Sequence, residues 1–208
     1  MFRNFIGQQF KRPSGWFGRF SSRIMIKGNR NKYETLIKEM DIRPDDKLLE
    51  IGYGPGIGID MISKLCETCT IHGVDFSKLM YNEAKKFNKS SIEIGKVQLQ
   101  YGDFLKLGIA EDQYDKIFCL NVIYFWDELK IPFEKTLSLL KTNGIFFIFM
   151  ADANMLKEKK APDSIFNKYS IEQAIEALKS AGFAGIEYHF NMGYYIKAKK
   201  WEGRSEEL

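Results

Sequence analysis

The sequence predicts an α/β domain built on a mostly parallel sheet with helices on both faces. Three observations carry that expectation. Apolar stretches of strand length alternate with amphipathic stretches of helix length through most of the chain, as right-handed βαβ crossovers require. The first strand runs straight into the glycine-rich turn Gly52-Tyr53-Gly54-Pro55-Gly56-Ile57-Gly58, and an amphipathic run through Ile57, Ile59, Met61, Ile62 and Leu65 follows. The last two strand-like runs meet around Asn191-Met192-Gly193, so they pair as a hairpin and one of them opposes its neighbours.

In chain order, Asn31 to Met40 reads as a helix with Tyr33, Leu36, Ile37 and Met40 on one face. Pro44-Asp45-Asp46 turns into the first strand, Lys47 to Ile51, and Gly56 to Leu65 is the first crossover helix. Thr70 to Asp75 is the second strand, and Ser77 to Asn88 a helix that Ser77 caps. Lys96 to Tyr101 and Tyr114 to Leu120 are the third and fourth strands. A helix from about Asp127 to Leu140 precedes a turn at Asn143-Gly144 and the fifth strand, Ile145 to Met150. The lysine-rich stretch 157–160 and Pro162 mark a loop or insertion. Ile171 to Ser180 is a helix ended by Gly182, and Phe183 to Phe190 with Tyr194 to Lys199 form the hairpin.

A chain of 208 residues, 45% hydrophobic and 28% charged, suits one globular domain with a substantial core. A net charge of +4 is too mild to imply nucleic acid by itself. The longest apolar run, Gly144 to Ala151, is far too short for a transmembrane helix, and no secretory h-region opens the chain, so a cytoplasmic location is expected. The 3 cysteines, Cys66, Cys69 and Cys119, argue against a disulfide framework and for a reducing compartment; they read as small core-filling thiols. Cys66-x-x-Cys69 with His72 lacks a second pair of ligands, so no metal site is expected.

Residues 1–32 contain no Asp or Glu. They interleave eight basic residues with Phe2, Phe5, Phe10, Trp16, Phe17 and Phe20, and Pro13-Ser14-Gly15 and Gly18 break any long helix there. Such a segment suits a lid over a site, a nucleic-acid contact or an anionic membrane surface.

The glycine turn opens a nucleotide-type βαβ unit, because glycines let the backbone turn sharply and let a ligand come close. The dinucleotide pattern G-x-G-x-x-G fails in both registers, since its third glycine falls on Ile57 or Ile59. Asp75 lies 23 residues after Gly52 at the end of the second strand, where a carboxylate accepts hydrogen bonds from ribose hydroxyls. Phe76 and Met80 would flank the nucleoside. Asp103 follows the third strand in Tyr101-Gly102-Asp103-Phe104, and Asn121 ends the fourth, before Tyr124, Phe125 and Trp126.

The pattern Glu50-x-Gly52-x-Gly54-x-Gly56 resembles motif I of the class I S-adenosylmethionine-dependent methyltransferases, specifically the small methyltransferase type 11 kind. The resemblance covers roughly residues 33–200. It implies a Rossmann-like sheet of seven strands in the order 3-2-1-4-5-7-6, the last antiparallel, and S-adenosylmethionine as cofactor with S-adenosylhomocysteine as product. Glu50, Gly52, Tyr53, Gly54 and Gly56 would then hold the methionine end and the ribose. Asp75, Phe76 and Met80 would hold the adenosine, with Gly102, Asp103 and Phe104 around its adenine and Asn121 at the reactive end. The segment Gln9 to Gly18 resembles the leader of such enzymes. Residues 1–32 would therefore be a lid, 33–200 the catalytic domain and 201–208 a tail. Trp16, Phe17, Tyr124 and Trp126 would wall the acceptor pocket.

The expected reaction is methyl transfer to a small-molecule acceptor. Two other readings stay open: an RNA or protein methyltransferase using the basic N-terminus, and a non-catalytic nucleoside-binding or NAD-dependent protein. No catalytic residue is assigned; His189 is the best base by type, with Tyr124 beside it, and His72 reads as structural.

Overall fold

The computed structural model describes residues 15–201, with side chains from residue 25 onward. Helix α1 spans Gly15–Glu39 and strand β1 Lys47–Ile51; α2 covers Ile57–Leu65 and β2 Thr70–Asp75. Then come α3 (Lys78–Phe87), the short α4 (Lys89–Glu93), β3 (Val97–Tyr101) and β4 (Tyr114–Leu120). A single 3-10 turn at Ile123–Phe125 precedes α5 (Lys130–Leu139), β5 (Leu140–Met150) and α6 (Ala153–Glu158). The chain closes with α7 (Ile171–Ser180), β6 (Phe183–Phe190) and β7 (Tyr194–Lys200). The seven strands lie in the order β3-β2-β1-β4-β5-β7-β6. Pairing is parallel from β3 through β5 and antiparallel where β7 meets β5 and β6.

The central strands are apolar at consecutive positions because both sheet faces are covered. Side chains alternate across the pleat, so neighbours in sequence enter different cores. Leu48, Phe118, Phe147 and Phe149 point to one face, where Tyr33 and Leu36 of α1, Ile59 and Ile62 of α2 and Ala84 of α3 cover them. Leu49, Ile117, Cys119, Phe146 and Ile148 point to the other, under Phe133 and Leu139 of α5 and Ala174 and Leu178 of α7. Ser77 caps α3, its Oγ accepting from the Met80 N–H at 3.4 Å, and Ser170 with Gln173 makes a capping box on α7.

Three expectations are corrected. The first helix does not start at Asn31: α1 begins at Gly15 and runs through Gly18 and Gly28. A glycine inside a helix costs only about 1 kcal/mol, which burial of the Tyr33–Met40 face outweighs. Asn143-Gly144 does not precede the fifth strand. Both residues lie inside β5, at an irregularity where pairing jumps from Tyr114↔Leu140 to Lys116↔Ile145, and Asn143 takes φ 62 to absorb it. Cys66 and Cys69 are not separate thiols but a disulfide, formed where the end of α2 turns toward β2 and brings their Cα atoms to 5.6 Å. Cysteine usage therefore no longer speaks for a reducing compartment. Cys119 is free and buried, and His72 is structural as expected, its Nδ1 lying 2.8 Å from the Tyr114 hydroxyl.

Candidate active site

One cleft of about 1200 Å³ opens at the carboxyl ends of β1 to β5, larger than the roughly 300–1,000 Å³ of ordinary ligand sites. Open α/β sheets place ligands there, where the strand order reverses on either side of β1 and β4. Gly52, Gly54, Asp75, Phe76, Met80, Gly102, Asp103, Phe104, Asn121, Tyr124 and Trp126 all line it. Glu50, Tyr53 and Gly56 do not.

The glycine turn is tied down before any ligand arrives. The Gly52 N–H donates to the Val74 carbonyl at 2.7 Å, the Gly54 N–H to Asp75 Oδ2 at 2.8 Å, and the Gly56 N–H to the Tyr53 carbonyl at 2.9 Å. Its glycines serve different purposes. A Cβ at Gly54, where φ is +53, would meet only Met25 Cε at 3.4 Å and so would project into the cleft. A Cβ at Gly56 would strike Asn88 Nδ2 at 2.5 Å and Ala84 Cβ at 2.9 Å, so this glycine lets α3 pack close. Tyr53 is likewise structural; fully buried, its hydroxyl reaches the Gln100 carbonyl at 3.2 Å.

Glu50 sits beneath the turn. It is wholly buried, Oε1 accepts from the Tyr33 hydroxyl at 2.5 Å, and Oε2 has no partner among the described residues. Burial raises its pKa to about 8, against the Tyr33 hydrogen bond and the Ile59 N–H, which both favour the charged form. A Cβ at Gly58 would lie 2.8 Å from Oε2. The Glu50 carboxyl group thus packs against the first turn of α2.

Asp75 joins the turn to α3. Its Oδ1 accepts from the Ser77 N–H at 2.8 Å while Oδ2 holds Gly54, and burial lifts its pKa to about 6 despite those two donors. Across the cleft, Gly102 donates to the Asp75 carbonyl at 2.9 Å, which fixes β3's end against β2's. Asp103 Oδ1 accepts from the Leu105 N–H at 3.0 Å, and Phe104 is buried with its ring 6.3 Å from that of Trp126.

Asn121 closes the chain of strand ends. It adopts φ 60, which asparagine tolerates better than most residues, and its N–H donates to the Phe149 carbonyl at 3.0 Å. Oδ1 accepts from the Tyr124 hydroxyl at 3.0 Å and Nδ2 donates to Asn29 Oδ1 at 3.3 Å. The Tyr124 oxygen also accepts from the Ala151 N–H. Burial raises the pKa of Tyr124 far above the usual phenol range, so this hydroxyl is a fixed strut and not a base. His189 is corrected more plainly. It lies outside the cleft on β6, with Nε2 2.8 Å from Glu39 Oε1 and its ring stacked on Tyr195. The Trp16 and Phe17 side chains lie outside the described ones.

The sequence reading missed the residues that long-range packing brings in. Met25, Asn29 and Lys32 of α1, Phe149 of β5, and Leu156, Lys159, Lys160 and Phe166 all line the cleft. Asn167 ties the loop after α6 to the segment after β4, donating its N–H to the Tyr124 carbonyl at 2.9 Å and Nδ2 to the Trp126 carbonyl at 2.8 Å. Only the period of α1 hinted at any of these, since Asn29 and Lys32 fall one turn before the buried Tyr33 and Leu36.

Seven strands in this order, with a glycine turn and two acidic strand ends around one cleft, define the class I methyltransferase arrangement. The comparisons agree. Residues 49–148 match the family model described as a methyltransferase domain. The uncharacterized methyltransferase YdaC of Bacillus subtilis strain 168 is 28% identical over 171 residues, spanning 80% of this chain and 87% of that protein. A methyltransferase in complex with the Haloferax volcanii Trm112 activator superposes with a TM-score of 0.78 at 14% identity, over 90% of this chain and 96% of its own. Haemonchus contortus phosphoethanolamine N-methyltransferase 2, in complex with S-adenosyl-L-methionine, superposes at 0.72 with 17% identity, over 83% of this chain and 53% of its own. The chain carries a class I S-adenosylmethionine-dependent methyltransferase domain, and S-adenosylmethionine is its cofactor. The cleft fits that group: bare backbone at Gly54, a carboxylate at Asp75 and apolar walls at Phe76, Met80 and Phe104 meet the needs of an adenosyl unit.

Proposed function

We propose that this chain methylates a small-molecule acceptor held between Asn121, Tyr124 and Trp126. The observation that carries this reading is the loop after α6: Asn167 and Tyr169, whose hydroxyl meets the Trp126 carbonyl at 2.8 Å, fasten it to the Tyr124–Trp126 segment, and its Phe166 lines the cleft with them. A pocket walled by aromatic rings from two such segments suits a compact acceptor better than a polymer strand. Asp75 and Asp103 would hold the two ends of the adenosine, and Asn121 would stand at the sulfur end. Met25, Asn29 and Lys32 of α1 face the same space, which supports a lid role for residues 1–32.

When bound, S-adenosylmethionine supplies a methyl group already activated on a sulfonium, which departs as a neutral thioether. The protein's task is then alignment and exclusion of water, worth on the order of 7–11 kcal/mol when reacting atoms are well placed. Asn121 is oriented for this from three sides, by Tyr124, Asn29 and the Phe149 carbonyl. The aromatic wall keeps the site dry, which strengthens every polar contact inside it.

Incubating the protein with tritium-labelled S-adenosylmethionine and separate metabolite, RNA and protein fractions tests the acceptor class. Label is expected in the small-molecule fraction. Label confined to RNA or polypeptide would overturn the reading.

A further inference from the structure

The acceptor end of the cleft is lined by three lysines from two distant elements. Lys32 stands on α1, and Lys159 and Lys160 follow directly on α6. Lys32 Nζ lies 5.3 Å above the Phe149 ring and 3.2 Å from Asn29 Oδ1, the oxygen that also receives Asn121. Burial, and then the charge of Lys159, pull the Lys32 pKa below the usual lysine range. No carboxylate among the described residues forms an ion pair with Lys32, Lys159 or Lys160.

The cleft's own acids are elsewhere. Asp75 and Asp103 end β2 and β3, with Lys106 Nζ 4.0 Å from Asp103 Oδ2, and Asp127 follows Trp126. The lining lysines without an ion pair among the described residues are therefore those on α1 and just after α6. Lys160 also takes φ 53, a left-handed conformation uncommon for residues other than glycine, asparagine and aspartate, at the point where α6 gives way to the following loop. Lys32 is half-buried and Lys159 and Lys160 are exposed beside it, and like charges brought together are unfavourable unless an opposite charge completes them. The walls around these charges are apolar, formed by Leu156, Ala161, Pro162, Phe166 and Met192.

We propose that the methyl acceptor is an organic anion with an apolar body. Its carboxylate or phosphate head is held by Lys32, Lys159 and Lys160, and its body lies against Leu156, Phe166 and Met192. This deepens the small-molecule reading and rests on it. Arrangement of the two lysine-bearing elements around one head explains why α1 and α6, far apart in sequence, share a cavity wall. The methionine carboxylate is the rival anion for these charges, and the experiment must separate the two.

Calorimetry on the full chain, saturated with S-adenosylhomocysteine, is done with octanoate, octyl phosphate and 1-octanol as probes. The anions are expected to bind at least about tenfold more tightly than the alcohol, a preference one modest charged contact would supply. Whichever anion binds better identifies the head. In the double variant Lys159→Gln, Lys160→Gln that preference is expected to vanish, while homocysteine-adduct affinity stays within about twofold and thermal unfolding is unchanged. Octanol binding as well as octanoate, or an undiminished preference in the double variant, would overturn the proposal. So would a fall in S-adenosylhomocysteine affinity that tracks the loss of octanoate, because the lysines would then serve the cofactor. Failure of the wild-type chain to bind S-adenosylhomocysteine at all would instead strike the methyl-transfer reading beneath it.

Discussion

The two halves of the cleft are held together differently. On the side of β2 and β3, the groups are fixed by backbone amides from residues close in sequence or on the adjacent strand: Gly54 and Ser77 on Asp75, Leu105 on Asp103, Gly102 on the end of β2. On the side of α1, β4 and β5, side chains reach across large gaps in the chain, Asn29 to the Asn121 side chain, Tyr124 to the Ala151 N–H and Asn167 to the Trp126 carbonyl. The first kind of site tolerates little change because its geometry is the fold's own geometry. The second is assembled from a helix, a loop and a hairpin turn, and can be refitted while the sheet stays as it is.

Substitutions that separate the halves follow from this. Asp75→Ala should have the largest effect, since it removes a carboxylate that lines the cleft and, on the proposed function, accepts from the two ribose hydroxyls. Two charge-assisted contacts at about 1.5–3 kcal/mol each predict a loss of S-adenosylhomocysteine affinity on the order of 100-fold or more by calorimetry. Tyr124→Phe should act on the other half alone. It strands the buried Ala151 N–H at a cost of about 1–3 kcal/mol, which for a chain of this size lowers the unfolding midpoint by roughly 2–4 °C per kcal/mol. Turnover should fall without vanishing and with no change in its pH profile, while S-adenosylhomocysteine affinity holds within about threefold.

Glu50 gives a smaller effect with a definite sign. Its carboxyl titrates at an ordinary 4.5 when unfolded and at about 8 in the folded chain, so between those values the folded state keeps a proton that the unfolded state has lost. Its contribution is full below about pH 4.5 and declines as pH climbs through 8. Asp75 behaves likewise between 3.8 and about 6. Denaturant titrations should therefore show stability falling from pH 6 to 8 in the wild type, and a flatter curve there for Glu50→Gln, which keeps an acceptor for Tyr33. The smallest effect belongs to His189→Ala, on the sheet edge. An exposed pair with Glu39 is worth about 0–1 kcal/mol, and turnover should change less than twofold.

The same contrast decides what could be read from the chain. The alternation of strands and helices and the glycine turn are legible from local periodicity, and Asp75, Asp103 and Asn121 from their places at strand ends, whereas the strand order came with the family resemblance. Glu50 was placed in the right motif, but its burial under the turn depends on Tyr33 from α1, which no local pattern reveals. The extent of α1 was missed because glycine and the basic composition argue against helix locally, whereas a buried face farther along holds it. Lys32, Lys159 and Asn167 were invisible as a group, since nothing local ties residues separated by more than a hundred positions. The Cys66–Cys69 bridge was missed because counting cysteines takes no account of where a helix end turns back.

Helix α1 touches both ends of this machinery at once. Tyr33 is clamped to the acid beneath the glycine loop, while its neighbour Lys32 and, one turn earlier, Asn29 line the cleft. On the proposed function both ligands would lie against this one helix, and any favour that one ligand's binding does the other through it must be returned by the same factor.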